Sequence, residues 1–188
     1  MKKFNEFVVR VCLLGALALG AGNASAAMLS FDGPSTVTVG STFSVDVVAS
    51  GFDTLDLGGF DLDVLFDDTM LSFVDYSLGV ELTDLSVGQL DLGLGEYATG
   101  VVNLAELSAL LDFSAQPDEF VIATLTFAAP TKGVTTLDFG YVGLTDDLGL
   151  PITDTSLGSL DISAVPEPAT ALLLIPGLVG LVGLRRKS

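Results

Sequence analysis

The chain has 188 residues, with 24 acidic against 7 basic side chains, no histidine, no tryptophan and one cysteine. Six of the basic residues (Lys2, Lys3, Arg10, Arg185, Arg186, Lys187) lie at the two ends, so residues 27–164 carry 22 acidic side chains against Lys132 alone, a net −21. Such a body repels phosphate backbones, which excludes nucleic-acid binding. The missing histidine removes Ser–His–Asp and Cys–His catalysis and imidazole-ligated zinc.

In chain order, Lys2, Lys3 and Arg10 form a basic start interrupted by Glu6, and residues 11–21 are apolar. Ala24-Ser25-Ala26 then supplies small residues for cleavage before Ala27, so residues 1–26 read as a signal peptide; an uncleaved N-terminal anchor is the alternative. Cys12 lies inside this segment and is preceded by Arg10-Val11 rather than the small residues of a lipoprotein site. A mature form beginning at Ala27 has no cysteine and is held together by core packing without a disulfide.

Residues 27–164 are enough for one domain with a real core. Phe60-Asp61-Leu62-Asp63-Val64-Leu65-Phe66 alternates apolar and acidic side chains, as does Phe43-Ser44-Val45-Asp46-Val47. Leu137-Asp138-Phe139-Gly140-Tyr141 is a third such run, and residues 120–128 form a nearly continuous apolar segment suited to a central strand. Further strands are expected at 28–31, 36–39, 71–76, 97–103 and 159–163, with Gly, Asp, Ser and Pro clusters between them. Leu104, Leu107, Leu110 and Leu111 share a helical face and predict a short helix. Residues 77–96 fit either two short strands or a long surface loop; their leucines either cover an open end or form an apolar contact patch. About nine strands in an acidic body predict an all-β, two-sheet sandwich.

Residues 59–73, Gly59-Phe60-Asp61-Leu62-Asp63-Val64-Leu65-Phe66-Asp67-Asp68-Thr69-Met70-Leu71-Ser72-Phe73, resemble the strand–turn–strand signature of cohesin domains. Residues 37–47 are similar to the opening strand pair of that family and residues 120–127 to its central strand. Phe66-Asp67-Asp68 stands where cohesins usually carry Tyr-Asp-Pro. The resemblance implies a nine-stranded jelly-roll sandwich that binds a protein partner, dockerin modules being the family's known ligands. It carries over no partner-contact residue.

Carboxylates dominate what chemistry remains. Asp61 and Asp63 share one face of their strand, while Asp67/Asp68 and Asp146/Asp147 sit in turns where carbonyls add oxygen donors, so these six are candidate calcium ligands. Solvated turn and outer-face residues are the alternative reading. No stretch fits an EF-hand loop, and the Asp-Leu-Gly triplets at Asp56, Asp91 and Asp147 have no fixed period. Asp53, Asp68 and Asp154 are each followed by Thr but not by the Thr-Gly of aspartic peptidases. A glycosidase would need two carboxylates flanking a cleft. No catalytic residue and no required cofactor are therefore assigned. Glycan binding by aromatic stacking is poorly served by three tyrosines and no tryptophan, which leaves calcium or amide and hydroxyl groups for that role.

The C-terminal end is the most distinctive segment. Pro166-Glu167-Pro168 has two fixed φ angles and lacks two backbone donors, which predicts extended, accessible chain. The 17 residues 168–184 are uncharged and as a helix would reach about 25 Å, slightly under a hydrocarbon core of about 30 Å. Arg185, Arg186 and Lys187 then hold the cytoplasmic side. An ordinary single-span anchor is one reading. In the order of its three parts, residues 165–188 resemble the PEP-CTERM sorting tail of exported proteins of Gram-negative bacteria that secrete exopolysaccharide. That resemblance implies processing by an exosortase and an inner-membrane-anchored intermediate. The body is then delivered to the cell surface or extracellular matrix, where its partner is a surface protein or, alternatively, exopolysaccharide bridged by calcium.

Overall fold

Strands with one apolar edge fold here into two facing sheets; the computed structural model describes residues 26–52, 55–84 and 86–167. The strands are β1 (Ala27–Asp32), β2 (Thr36–Thr38), β3 (Thr42–Ser50), β4 (Leu57–Leu65), β5 (Ser72–Leu78), β6 (Leu90–Asp91), β7 (Gly95–Ala98), β8 (Val101–Leu107), β9 (Glu119–Ala128), β10 (Gly133–Asp146), β11 (Pro151–Ile152), β12 (Thr155–Leu157) and β13 (Leu160–Val165). One sheet has the order β12-β1-β3-β9-β5; the larger runs β2-β13-β10-β4-β8-β6, with β11 on β10 and β7 on β8. Pairing is antiparallel except where β12 joins β1 and β2 joins β13. The protein is an all-β sandwich of two sheets, and the described residues contain no helix.

The period-2 pattern places Val45, Val47 and Ala49 of β3 and Leu125 and Phe127 of β9 against Leu62 and Val64 of β4 and Val102 and Leu104 of β8, all fully buried. Each such aliphatic or aromatic side chain contributes about 1.5–3 kcal/mol by leaving water, the main source of stability in a body without disulfides. Phe127 is the central anchor: Phe66 and Phe73 approach it edge-on at 5.3 and 6.0 Å, the geometry that aromatic quadrupoles favour. The outer face of the smaller sheet is polar, with the Thr124 hydroxyl donating to Asp46 at 2.6 Å and Ser44 beside Thr126 at 3.4 Å. Exposed apolar side chains occur on both sheets (Met28, Val74 and Leu157 on the smaller), but on the larger sheet Leu92, Leu94 and Tyr141 gather around one groove.

Three expectations change. Leu104 lies on β8 rather than on a helix, because pairing with β4 from Leu65↔Val101 to Gly59↔Leu107 claims the backbone. Beyond it, Leu111 is 96% exposed. The following irregular chain is tied down by Gln116, whose side-chain amide accepts from Leu57 N at 2.6 Å and donates to Leu57 O at 3.1 Å, imitating a strand neighbour. The single strand expected at 97–103 is a hairpin, β7 turning into β8 at Gly100. There φ is +73° and a Cβ would stand 2.6 Å from the Phe66 carbonyl, so only glycine fits. Residues 77–96 contain both short strands and loop, and their leucines divide: Leu82 is buried at the sandwich end, while Leu90, Leu92 and Leu94 are exposed.

At the other end of the sandwich, Val39 N donates to Val165 O and Gly40 N to Ala129 O, both at 2.8 Å. This gathers the end of β13, the turn after β2 and the 130–133 turn together. Pro166 and Glu167 follow at once, exposed and outside any strand.

Candidate functional site: a groove on the outer face of the larger sheet

Register assembles the site. One row across β10, β4 and β8 reads Gly143–Asp61–Ala105, and the next reads Thr145–Gly59–Leu107. Gly143, Gly59 and Ala105 leave the middle of this face shallow. A Cβ on Gly59 would come within 3.0 Å of Glu106 O, and one on Gly143 within 2.9 Å of the Tyr141 hydroxyl. Tyr141 reaches this position because β10 carries one extra residue between Phe139 and Val142, a bulge that turns its ring onto the outer face. Tyr141 (59% exposed) and Pro151 raise one wall, and Leu92 (63%) and Leu94 (70%), from the β6–β7 connection, raise the other. The groove between them has a volume of about 550 Å³. A second, smaller groove continues past Tyr141 and Pro151 along Ile152, Thr153 and Thr155.

The polar end of the groove is pre-ordered. Asn103 Nδ2 donates to Asp61 Oδ1 at 2.7 Å and to Asp63 Oδ1 at 3.2 Å, and the Tyr97 hydroxyl donates to Asp63 Oδ2 at 3.0 Å. That hydrogen bond to Asp63, with the nearby acidic charge, holds the Tyr97 hydroxyl above its ordinary pKa. Leu94 N donates to Asn103 Oδ1 at 3.3 Å, so the same amide that aligns the carboxylates also positions the rim. The rim has a second anchor in Asp91, which accepts from Gly93 N at 2.9 Å and from the Tyr76 hydroxyl at 3.0 Å through each oxygen. Burial first, then the Asp91 contact, pushes Tyr76 up to about 12, so it stays a donor at any physiological pH.

Of the six candidate calcium ligands, Asp61 and Asp63 lie at the groove, engaged by Asn103 and Tyr97. Asp67 accepts from Thr69 N at 2.9 Å and Thr69 Oγ1 at 2.6 Å, bonds that hold its carboxyl below the usual range. Asp146 Oδ1 accepts from Leu148 N at 3.0 Å and Leu150 N at 2.7 Å. Asp68 and Asp147 are exposed in the same turns. The three pairs are not brought together: Asp67/Asp68 follow the end of β4, whereas Asp146 pairs with Leu57 at its start. Among the described residues no group of three or more acidic side chains is arranged to hold a metal. Pro166 and Glu167 of the expected sorting motif are exposed beyond β13, and Ala26, at the expected cleavage point, is exposed just before β1. Pro168, Ala24, the apolar segment and Arg185, Arg186 and Lys187 lie outside the described residues. Leu92 and Leu94 are among the leucines of residues 77–96 that the sequence offered as an apolar contact patch, whereas Asn103, Tyr141 and Gly143 of the groove and Tyr97 beside it were not singled out as site residues. The Gly58-Gly59 doublet inside an alternating strand was a usable sign of close approach.

No family model and no curated protein matches the sequence. Solved structures do. The sixth cohesin of scaffoldin B from Acetivibrio cellulolyticus, in complex with a Cel5 dockerin, is similar at 18% identity and TM-score 0.62, over 74% of this chain and 99% of that one. The cohesin module of a family 33 glycoside hydrolase from Clostridium perfringens is similar at 12% identity and TM-score 0.63, over 76% and 99%. A non-cellulosomal cohesin from the archaeon Archaeoglobus fulgidus is similar at 13% identity and TM-score 0.58, over 78% and 96%. The fold is thus cohesin-like.

Proposed function

We propose that this chain is an exported, non-enzymatic interaction module that seats a segment of a partner protein in the groove between Tyr141–Pro151 and Leu92–Leu94. One observation carries this reading: the larger sheet exposes apolar walls around a floor of small residues, beside carboxylates already fixed by Asn103 and Tyr97. The cohesin fold of the neighbours, one of them captured with a dockerin, supports a protein as the partner. The groove suits apolar side chains, and Asp61 and Asp63 suit an adjacent lysine or arginine, since a body of net −21 attracts cationic segments. Signal-peptide export, sorting by an exosortase at Pro166-Glu167-Pro168 and final residence at the cell surface or in the matrix complete the proposal, supported by the residue order at both ends of the chain.

The test immobilises the full chain and exposes it to the extracellular fraction of the producing organism, with calcium and with chelator. A discrete protein should be retained by the wild type under both conditions and lost, by about tenfold or more, from Leu94→Asp, which puts a charge where a desolvated contact is needed. Equal retention by Leu94→Asp overturns the groove. Polysaccharide retained only with calcium replaces the protein partner by the glycan alternative. For sorting, simultaneous substitution of Pro166, Glu167 and Pro168 by alanine should leave export intact and abolish C-terminal processing; continued processing rejects the exosortase assignment.

A further inference from the structure

Glu106 departs from the pattern of its own strand. On β8 the positions Val102 and Leu104 turn into the core, and Glu106 follows them: it is 2% exposed. Its carboxyl lies at the end of the sandwich near Leu82 and Thr83 of the 79–89 connection. Thr83 Oγ1 donates to its Oε1 over a long 3.4 Å, and its buried Oε2 has no hydrogen-bond partner. Phe60 stands opposite on β4 and Asp91 opposite on β6. Gln89 and Thr83 are the neutral donors acting on it, and Asp91 is the charged neighbour. Lys132 cannot compensate, because it precedes the far end of β10, well away from Leu144, the residue opposite Phe60.

We propose that Glu106 is a proton-operated latch on the groove: neutral, it keeps the 79–89 connection and β6 closed so that Leu92 and Leu94 stand in place, and ionised, it loosens them. The regulatory consequence rests on the docking reading of the groove, whereas the opening itself does not. A carboxylate at this position is nearly buried, has one long hydrogen bond and one unpartnered oxygen, and faces Asp91, so ionisation calls for water, which reaches it as the covering chain lifts. That chain is anchored by the buried Leu82 and a Gln89 amide bond to Gly79 O, with few backbone bonds besides. Leu82 O accepts from Ser108 Oγ and Ala109 N, each at 3.1 Å, Gly79 N donates to Ile122 O at 2.9 Å, and β6 itself is two residues long. The wall follows without a break, since Leu92 N donates to Ala105 O at 2.9 Å on the strand that carries Glu106. Burial, the largest influence, pushes the Glu106 carboxyl up to about 7; the nearby Gln89 amide, whose hydrogen bond goes to Gly79 O, and the Thr83 hydroxyl pull it down and the charge of Asp91 pushes it up. The change in charge therefore falls in the neutral range.

Backbone hydrogen exchange of the full chain, measured at about pH 6 and about pH 8 and normalised for intrinsic base catalysis, tests the latch without a partner. Residues 79–84 and 86–92 should lose protection by about tenfold or more at the higher pH, while β3 stays unchanged. In Glu106→Gln the loss should vanish. Equal protection of the wild type at both pH values overturns the latch, as does the same loss in Glu106→Gln. Thr83→Val supplies a second check, because removing a donor to the carboxylate should move the midpoint of opening to higher pH; a midpoint that stays or falls also overturns it. Failure here leaves the Leu94→Asp result standing, and failure of that result leaves the exchange data intact.

Discussion

Glu106 sets the sign of one part of the stability profile. Its folded carboxyl titrates at about 7 against 4.5 for an ordinary glutamate. The stability it contributes is complete below the unfolded value and is lost as pH rises through the folded one. At about 1.4 kcal/mol for each tenfold change in proton affinity, the loss totals about 3 kcal/mol, or less if the cover opens first. Asp67, Asp84 and Asp112 act with the opposite sign. Hydrogen bonds from Thr69, Ser86 and Ser114 hold these carboxyls below their usual values, so their contribution is present at neutral pH and fades in acid. Denaturant unfolding of Glu106→Gln beside the wild type isolates the glutamate. The variant should gain relative stability between about pH 4.5 and about pH 7, and a flat difference across that window would show that the carboxyl is solvated.

At the scale of elements, what was legible depended on how local the signal is. Strand β4 was readable because Phe60, Leu62 and Val64 alternate with Asp61 and Asp63, and burial on one face is what period 2 encodes. β9 was readable because its apolar run is long, with only Thr124 and Thr126 breaking it on the outer face. Around β8 the leucines at 104, 107, 110 and 111 also satisfy a helical spacing, and only pairing with β4, forty residues earlier in the chain, decides between the two. The same misreading hid Glu106, whose inward direction follows from counting by twos from Val102. The groove escaped because it is a property of register: Gly143, Asp61 and Ala105 become one row through two strand pairings, and Tyr141 joins them through a bulge. The β6–β7 rim is held by the side chains of Asn103, nine residues after Leu94, and Tyr76, fifteen before Asp91, contacts set by strand placement that carry no pattern of their own.

Across the whole molecule, hydrophobic burial works against self-repulsion. The two sheets share one core, yet residues 27–164 carry 22 acidic side chains with Lys132 as their only cation. A net charge of this size keeps the body dispersed and lowers the stability of its compact state. Sodium chloride should therefore raise the thermal midpoint, by about 2–5 °C between low salt and about 1 M, as screening shortens the reach of like charges. A midpoint that falls with salt would mean that the carboxylates are paired favourably rather than opposed. The same field predicts that partner association slows as salt rises, since attraction of a cationic segment is screened by the same ions.

If the chain passes through a membrane-anchored intermediate, the tie between Val39 and the last residue of β13 would give it a direction. In the sorting reading only Pro166 and Glu167 separate the final strand from the apolar segment, too short a tether to let the sandwich tumble. The body would then stand on the end where β13, the turn after β2 and the 130–133 turn meet. Lys132, exposed in that last turn, would lie at the membrane end together with the exposed Asp67 and Asp68 of the turn after β4. Tyr141, Leu92 and Leu94 ride toward the far end, open to approach from outside before any peptide bond is cut. Processing would then release a module that has already been on display.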